Sequence, residues 1–349
     1  MPSYFRPHLE ALAGHHPSPY LQPSSPIIKL NSNENPYPPS PTISAVLQTL
    51  DLEYLRRYPD ANVDIFRQAI ATVLEVPLDW IIVGNGCDEL LHVLVRACAA
   101  RERRVVYPTP TYMLYPLLAQ LQDAERVEIP VEAESRLPIE AIVAANGAVT
   151  LIPAPNSPYG HGVAIADLRD LAAKLTGVLV IDEAYVDFAE ETALPLVEEF
   201  EHVIILRTLS KGYCLAGLRL GFGIAHPNLL SGLFKVKDSY NIDAIAALVG
   251  AAAMRDQAYK DACVAKVKAA RSQLAQDLQQ LGFQVWDSQT NFLLTQPPQG
   301  NAEQIYLALK DQGIWIRYFN QPGLEDKLRI TVGTEEQNQA LLEALIDLV

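Results

Sequence analysis

From about residue 64 onward the chain alternates between short apolar runs and longer stretches with helical spacing. The runs fall at residues 80–83, 104–107, 126–131, 149–153, 178–182, 202–206 and 220–225. Between them, 87–100, 111–121 and 166–175 carry apolar residues three and four positions apart, as a helix packed on one face requires. Runs of Val, Leu and Ile without polar alternation suit strands buried on both faces. The pattern therefore predicts an α/β fold: a mainly parallel seven-stranded sheet covered by helices. The interval between Leu206 and Leu220 is too short for a full crossover, so the last strand is expected to run antiparallel.

The texture changes after about residue 240. Residues 244–281 read as helix in two pieces, followed by strands at 283–286, 291–295, 314–318 and 328–332 and helices at 302–312 and 335–348. That mixture predicts a smaller α+β domain with its own sheet. Residues 1–45 are rich in Pro, Ser and Asn, a composition that favours an extended arm and loop. The expected division is an arm over 1–45, a large domain over 46–240 and a small domain over 241–349.

Composition narrows the classes of function. With 349 residues, 49% of them apolar and 19% charged, the chain can bury a large core. A formal charge of −14 offers no basic field to recruit nucleic acid or an anionic membrane, so an anionic substrate would need local arginines. The four cysteines are widely spaced with no Cys-x-x-Cys pair, which predicts free thiols in a reducing compartment and no metal site. No apolar run reaches membrane-spanning length and the N-terminus lacks the pattern of a signal peptide, so the cytoplasm is the expected location.

Chemistry concentrates where the apolar runs end. After 202–206 comes a segment running from Thr208 through Ser210 and Lys211 to Arg219. A lysine at the exit of a parallel strand stands where open α/β sheets bind ligands, and in a dry pocket it becomes a nucleophile toward a carbonyl. Ser210 and Arg219 suit an anion beside it. After 80–83, glycines lead into a helix at Gly86, Cys87 and Asp88, where free N–H groups can cradle phosphate. Tyr112 follows 104–107, Asn156 follows 149–153, and Asp182 closes 178–182 with Tyr185 just beyond. A carboxylate ending such an apolar run needs a cationic partner to stay charged. Each feature alone has a plainer reading as a turn, a cap or a core ring. Together they supply what pyridoxal 5'-phosphate requires. Lys211 would hold the aldehyde, Asp182 the ring nitrogen, Tyr185 the ring oxygen and Tyr112 the ring face. The N–H groups near Cys87 and Asp88, with Thr208, Ser210 and Arg219, would bind the phosphate.

With these residues in place the chain resembles the fold-type I aminotransferases, and within them the histidinol-phosphate aminotransferases. The matching segments are 31–36, 57–60, 84–91, 182–188, 208–223, 317–319 and 328–334, spread over nearly the whole length. The resemblance implies a homodimer with shared active sites, the arm packing on the small domain or on the partner subunit. It assigns Tyr58 to the cofactor phosphate of the neighbouring subunit. Arg329 would bind the carboxylate of glutamate and, in turn, the phosphate of an imidazole substrate, with Arg317 assisting and Asn33 nearby. Two positions depart from the family pattern. Ser157 stands where an asparagine usually precedes the proline, so either Asn156 or Ser157 contacts the ring oxygen; His15 replaces an arm tyrosine that reaches substrate phosphate. The implied reaction is amino transfer between L-glutamate/2-oxoglutarate and imidazole acetol phosphate/L-histidinol phosphate. The alternatives are an aromatic amino-acid aminotransferase or a phospho-amino-acid decarboxylase on the same scaffold. A catalytically silent sensing module would not need the complete residue set.

Overall fold

The computed structural model describes residues 4–10, 12, 26–132 and 136–349. Seven strands form one sheet: β1 (Ile81–Gly84), β2 (Val105–Thr109), β3 (Arg126–Pro130), β4 (Val149–Pro153), β5 (Val178–Asp182), β6 (Val203–Thr208) and β7 (Gly221–Ala225). Their spatial order is β1-β7-β6-β5-β4-β2-β3. Each lies within a residue or two of its expected run. Only β7 opposes its neighbours, as the short link from β6 requires.

Both faces of the sheet's central strands are buried, which is why their runs show no polar alternation, whereas the edge strand β3 alternates and is partly exposed. Leu179, Ile181, Val203 and Ile205 face a core shared with Phe66, Ile70, Leu168 and Leu171. The intervening Val180, Ile204 and Leu206 face the opposite core, with Leu90, Leu94, Tyr115 and Leu118. That second layer includes α1 (Gly86–Cys98) and α2 (Leu114–Leu121). Helix Ala244–Arg255, just beyond the expected division at 240, places Ala246, Val249 and Met254 in the first of these cores.

The C-terminal part carries a four-stranded antiparallel sheet in the order Arg317–Tyr318, Leu328–Thr331, Phe292–Gln296, Gln284–Val285. The strand expected at 314–318 is split. Ile314–Trp315 instead pairs in parallel with Ile28–Lys29. The backbone bonds Ile28 N to Gly313 O (2.9 Å) and Leu30 N to Trp315 O (2.7 Å) draw it away from the small sheet. Leu30 is buried in the small core with Leu293, Ile316 and Ile330. The end of the arm region is thereby tied to the small sheet. Among the described residues no helix is long and apolar enough to cross a membrane.

The C-terminal ends of β4, β5 and β6 converge on one edge of the large sheet. Beside them Arg207 and Glu183 form a buried ion pair at 2.9 Å, with Glu183 2% exposed. Glu183 also accepts from Ala193 N and from Thr192 Oγ1. A pair satisfied this fully fixes the chain immediately after Asp182.

Candidate active site

At that edge lies a cavity of about 290 Å³. Its walls include Ser32, Glu34, Cys87, Asp88, Tyr112, Ser157, Asp182, Tyr185, Thr208, Ser210, Lys211 and Arg219. Residues drawn from six segments of the sequence thus face one space.

Lys211 leaves β6 on a loop closed by Leu215 N to Leu209 O (3.1 Å) and by Asn35 Nδ2 to Lys211 O (3.0 Å). Its Nζ donates to the carbonyls of Ser32 (3.2 Å) and Asn33 (2.9 Å). Burial, reinforced by the Arg329 and Arg219 guanidiniums, pulls the amine down to about 8, with Glu34 opposing. A neutral nucleophilic amine is therefore accessible near neutral pH.

Asp182 ends β5 in full burial, which pushes its carboxyl up to about 6. One oxygen accepts from Ala184 N (3.1 Å) and the other from Tyr115 OH (2.8 Å), and both bonds favour the charged form. Tyr185 stands opposite. Its oxygen accepts from Asn33 Nδ2 (2.8 Å), which leaves the phenolic proton free to be donated elsewhere.

The anion pole is built from the start of α1 and the loop after β6. The first-turn N–H groups of a helix have no partners within it. Gly86, at φ +77°, opens that turn. A Cβ at Gly86 would meet Arg219 Nη2 at 2.8 Å, and one at Gly221 would meet Cys87 N at 2.6 Å, so both glycines keep the cradle open. Arg219 pairs with Asp88 (3.1 Å) and donates to Ser210 Oγ (3.4 Å). Tyr112 OH donates to the other Asp88 oxygen (3.1 Å), and Thr208 Oγ1 donates to Ser210 Oγ (2.9 Å).

Arg329 reaches this wall from the small sheet. Nη1 donates to Ser157 Oγ (3.2 Å) and Nη2 to the Asn31 carbonyl (3.3 Å), while its buried Nε has no partner. The guanidinium lies 5.0 Å from the Phe292 ring and 5.4 Å from that of Phe319. Burial lowers it to about 10. A half-buried cation with an unused donor suits an anion.

Within one protomer, Asn156, Tyr58 and Arg317 do not line the Lys211 cavity. The Asn156 Oδ1 accepts from Tyr159 N (3.2 Å), because the side chain closes its own turn, and the residue borders a neighbouring cavity with His161. Ser157 takes the place facing Tyr185 and Arg329. Tyr58 is 82% exposed and stacks on Tyr240 (4.8 Å) away from Lys211. Arg317 sits on the strand beside Arg329, exposed, with its guanidinium 5.4 Å from the Phe319 ring. His15 lies outside the described residues.

Tyr115, Ser32, Glu34 and Asn291, whose Nδ2 donates to the Asn33 carbonyl (2.9 Å), were not singled out from the sequence. Tyr115 had a local signal, standing three residues after Tyr112 on the same side of a helix start, and Ser32 and Glu34 lie within the matching segment 31–36.

A family model described as aminotransferase class I and II matches residues 25–345. This chain belongs to that family. The aminotransferase is 62% identical to histidinol-phosphate aminotransferase 1 of Trichormus variabilis, over all of both chains. It is 43% identical to the histidinol-phosphate aminotransferase of Citrifermentans bemidjiense, covering 92% of this chain and 91% of that one. Among solved structures it is similar to the Sinorhizobium meliloti histidinol-phosphate aminotransferase in complex with pyridoxal 5'-phosphate. That likeness has a TM-score of 0.88 and 25% identity, with 99% of this chain and 97% of that chain covered.

The aminotransferase has the fold-type I architecture, and pyridoxal 5'-phosphate is its cofactor. The residues present fit that group. Lys211 offers an amine depressed by burial, Asp182 a buried carboxylate short of a cation, and the Gly86 cradle with Arg219 an anion site.

Proposed function

We propose that this aminotransferase moves the amino group between L-glutamate/2-oxoglutarate and imidazole acetol phosphate/L-histidinol phosphate, as the names of its relatives indicate. The observation that carries this reading is Arg329: a half-buried guanidinium whose shielded Nε has no partner, hydrogen-bonded to Ser157 in the wall of the Lys211 cavity. A single such cation suits substrates that present a carboxylate in one half-reaction and a phosphate in the other.

When bound, pyridoxal 5'-phosphate supplies an electron-withdrawing ring that stabilises charge at the substrate Cα. The chain's part is positioning and proton movement. Asp182 would hold the ring nitrogen protonated, and Tyr185 and Ser157 would address the ring oxygen. Tyr112 would cover the ring, and the Gly86–Asp88 turn, Thr208, Ser210 and Arg219 would hold the phosphate. The Lys211 amine, half neutral near pH 8, carries the proton to and from the substrate Cα. Purified protein given histidinol phosphate and 2-oxoglutarate should form glutamate much faster than with phenylalanine as donor. Glutamate formed mainly from phenylalanine, or release of carbon dioxide, would overturn the assignment.

The same reading makes the working form a cytoplasmic homodimer. Leu52 and Tyr54 stand more than half exposed beside Tyr58, an apolar face suited to a second copy that would bring Tyr58 to the partner's phosphate site. Sedimentation of the holoenzyme at the mass of one protomer would remove that assignment.

A further inference from the structure

Asp182 is fully buried, and each of its oxygens takes one described hydrogen bond. The first donor, Ala184 N, is backbone and stays whatever the side chains are. The second, the Tyr115 hydroxyl at 2.8 Å, is the one side chain that donates to Asp182 among the described residues. Tyr115 is itself wholly buried. Its ring is held edge-on against Tyr112 (5.9 Å, 83°) and tilted against Tyr107 (6.1 Å, 60°). Tyr107 is anchored in turn by Glu128 (3.1 Å) and Tyr112 by Asp88 (3.1 Å). A ring packed this way has no other place for its hydroxyl. Burial and the adjacent carboxylate push the Tyr115 phenol well above its ordinary range, so the proton stays on the tyrosine and the bond keeps one direction.

We propose that Tyr115 is the positioning residue of Asp182, aiming one carboxylate oxygen and holding the group charged toward the cofactor's pyridine nitrogen. The proposal rests on the assignment of Asp182 to that nitrogen. The other groups facing the acid work against its charge: burial first, then the carboxylates of Asp88 and Glu183. Cys87 also lies within electrostatic reach, and its thiol is pushed well up by burial, so it stays neutral and adds no further negative charge. Against that background the tyrosine bond matters more than it would in water. The turn at the start of α2 thereby serves the ring twice, Tyr112 at the cavity wall and Tyr115 behind the acid.

The test uses the full-length chain with Tyr115→Phe, Asp182→Asn and the double variant. In the cofactor-free chain, the Asp182 carboxyl band is followed by infrared difference spectroscopy against Asp182→Asn. In Tyr115→Phe it should titrate about 1–2 pH units higher than in the parent, the size expected for a lost hydrogen bond to a charged group. In the holoenzyme, Tyr115→Phe should speed cofactor release about tenfold or more. It should also move the pH at which the visible spectrum changes, and both effects should vanish in the Asp182→Asn background. Thermal melting checks that the fold survives. An unchanged carboxyl titration in Tyr115→Phe overturns the proposal. If Asp182→Asn leaves cofactor release unchanged while the infrared shift is present, the role of Asp182 falls and the pairing with Tyr115 stands.

Discussion

Lys211→Ala is expected to lower transamination by about 10⁴-fold or more while leaving the fold intact, because on the proposed reading one amine is both the nucleophile and the proton carrier. The structural loss is small: two hydrogen bonds from Nζ to the Ser32 and Asn33 carbonyls, and the contact of Nζ with the Tyr185 ring at 5.8 Å. The variant should still bind pyridoxal 5'-phosphate through Asp182, Ser210 and Arg219. Borohydride treatment, which should tie the cofactor to the Lys211 peptide in the parent, should leave the variant's peptides unmodified. The pH dependence has a definite sign. Lys211 is an ammonium below about 8 and a free amine above it, so the rate at which the cofactor-free parent captures the aldehyde should rise with pH through that region. Substantial turnover in the alanine variant would remove Lys211 from the chemistry.

Arg329→Leu is expected to cost about 2–5 kcal/mol of transition-state stabilisation, roughly 30- to 4,000-fold in kcat/KM. Leucine keeps apolar volume between Phe292 and Phe319, so the small sheet should hold its packing. What disappears is the cation whose Nε is unused and whose Nη1 is shared with Ser157. Most of the loss should appear in KM, since an anion is gripped alike before and during reaction. Both half-reactions should suffer, glutamate through its carboxylate and histidinol phosphate through its phosphate. Steady-state kinetics with each substrate varied in turn decides this. A loss confined to glutamate would mean that the phosphate is bound elsewhere, with exposed Arg317 the nearest cation on the adjacent strand. Arg329→Lys should recover only part of the loss, because a point charge does not reproduce the guanidinium's fork.

The positions of the strands along the chain were legible in the sequence because most are continuous apolar runs, which burial on both faces selects; the edge strand Arg126–Pro130, polar at alternate positions and partly exposed, is the exception. The lysine exit was legible for a related reason. A serine–lysine step followed by small residues and an arginine interrupts an otherwise apolar stretch, and an interruption at a strand end marks a binding edge. The split of 314–318 was not legible, since its apolar pattern is the same whether its backbone pairs with Leu328–Thr331 or with Ile28–Lys29. Nor was the choice between Asn156 and Ser157. Both are small polar side chains in one turn, and the hydrogen bond that closes the turn on Tyr159 takes the asparagine away from the cavity.

The sequence by itself determined the sheet, the lysine, the acid at the end of the fifth strand and the glycine-opened helix, because each depends on local pattern and on chemistry few residue types supply. The tertiary structure decided which neighbours those groups meet. It brought Tyr115 onto Asp182, Asn33 onto Tyr185 and Arg329 onto Ser157, with sequence separations of 67, 152 and 172 residues. Pairings of that kind are set by where packed elements come to rest, and the burial that shifts Lys211 and Asp182 exists only once they have done so.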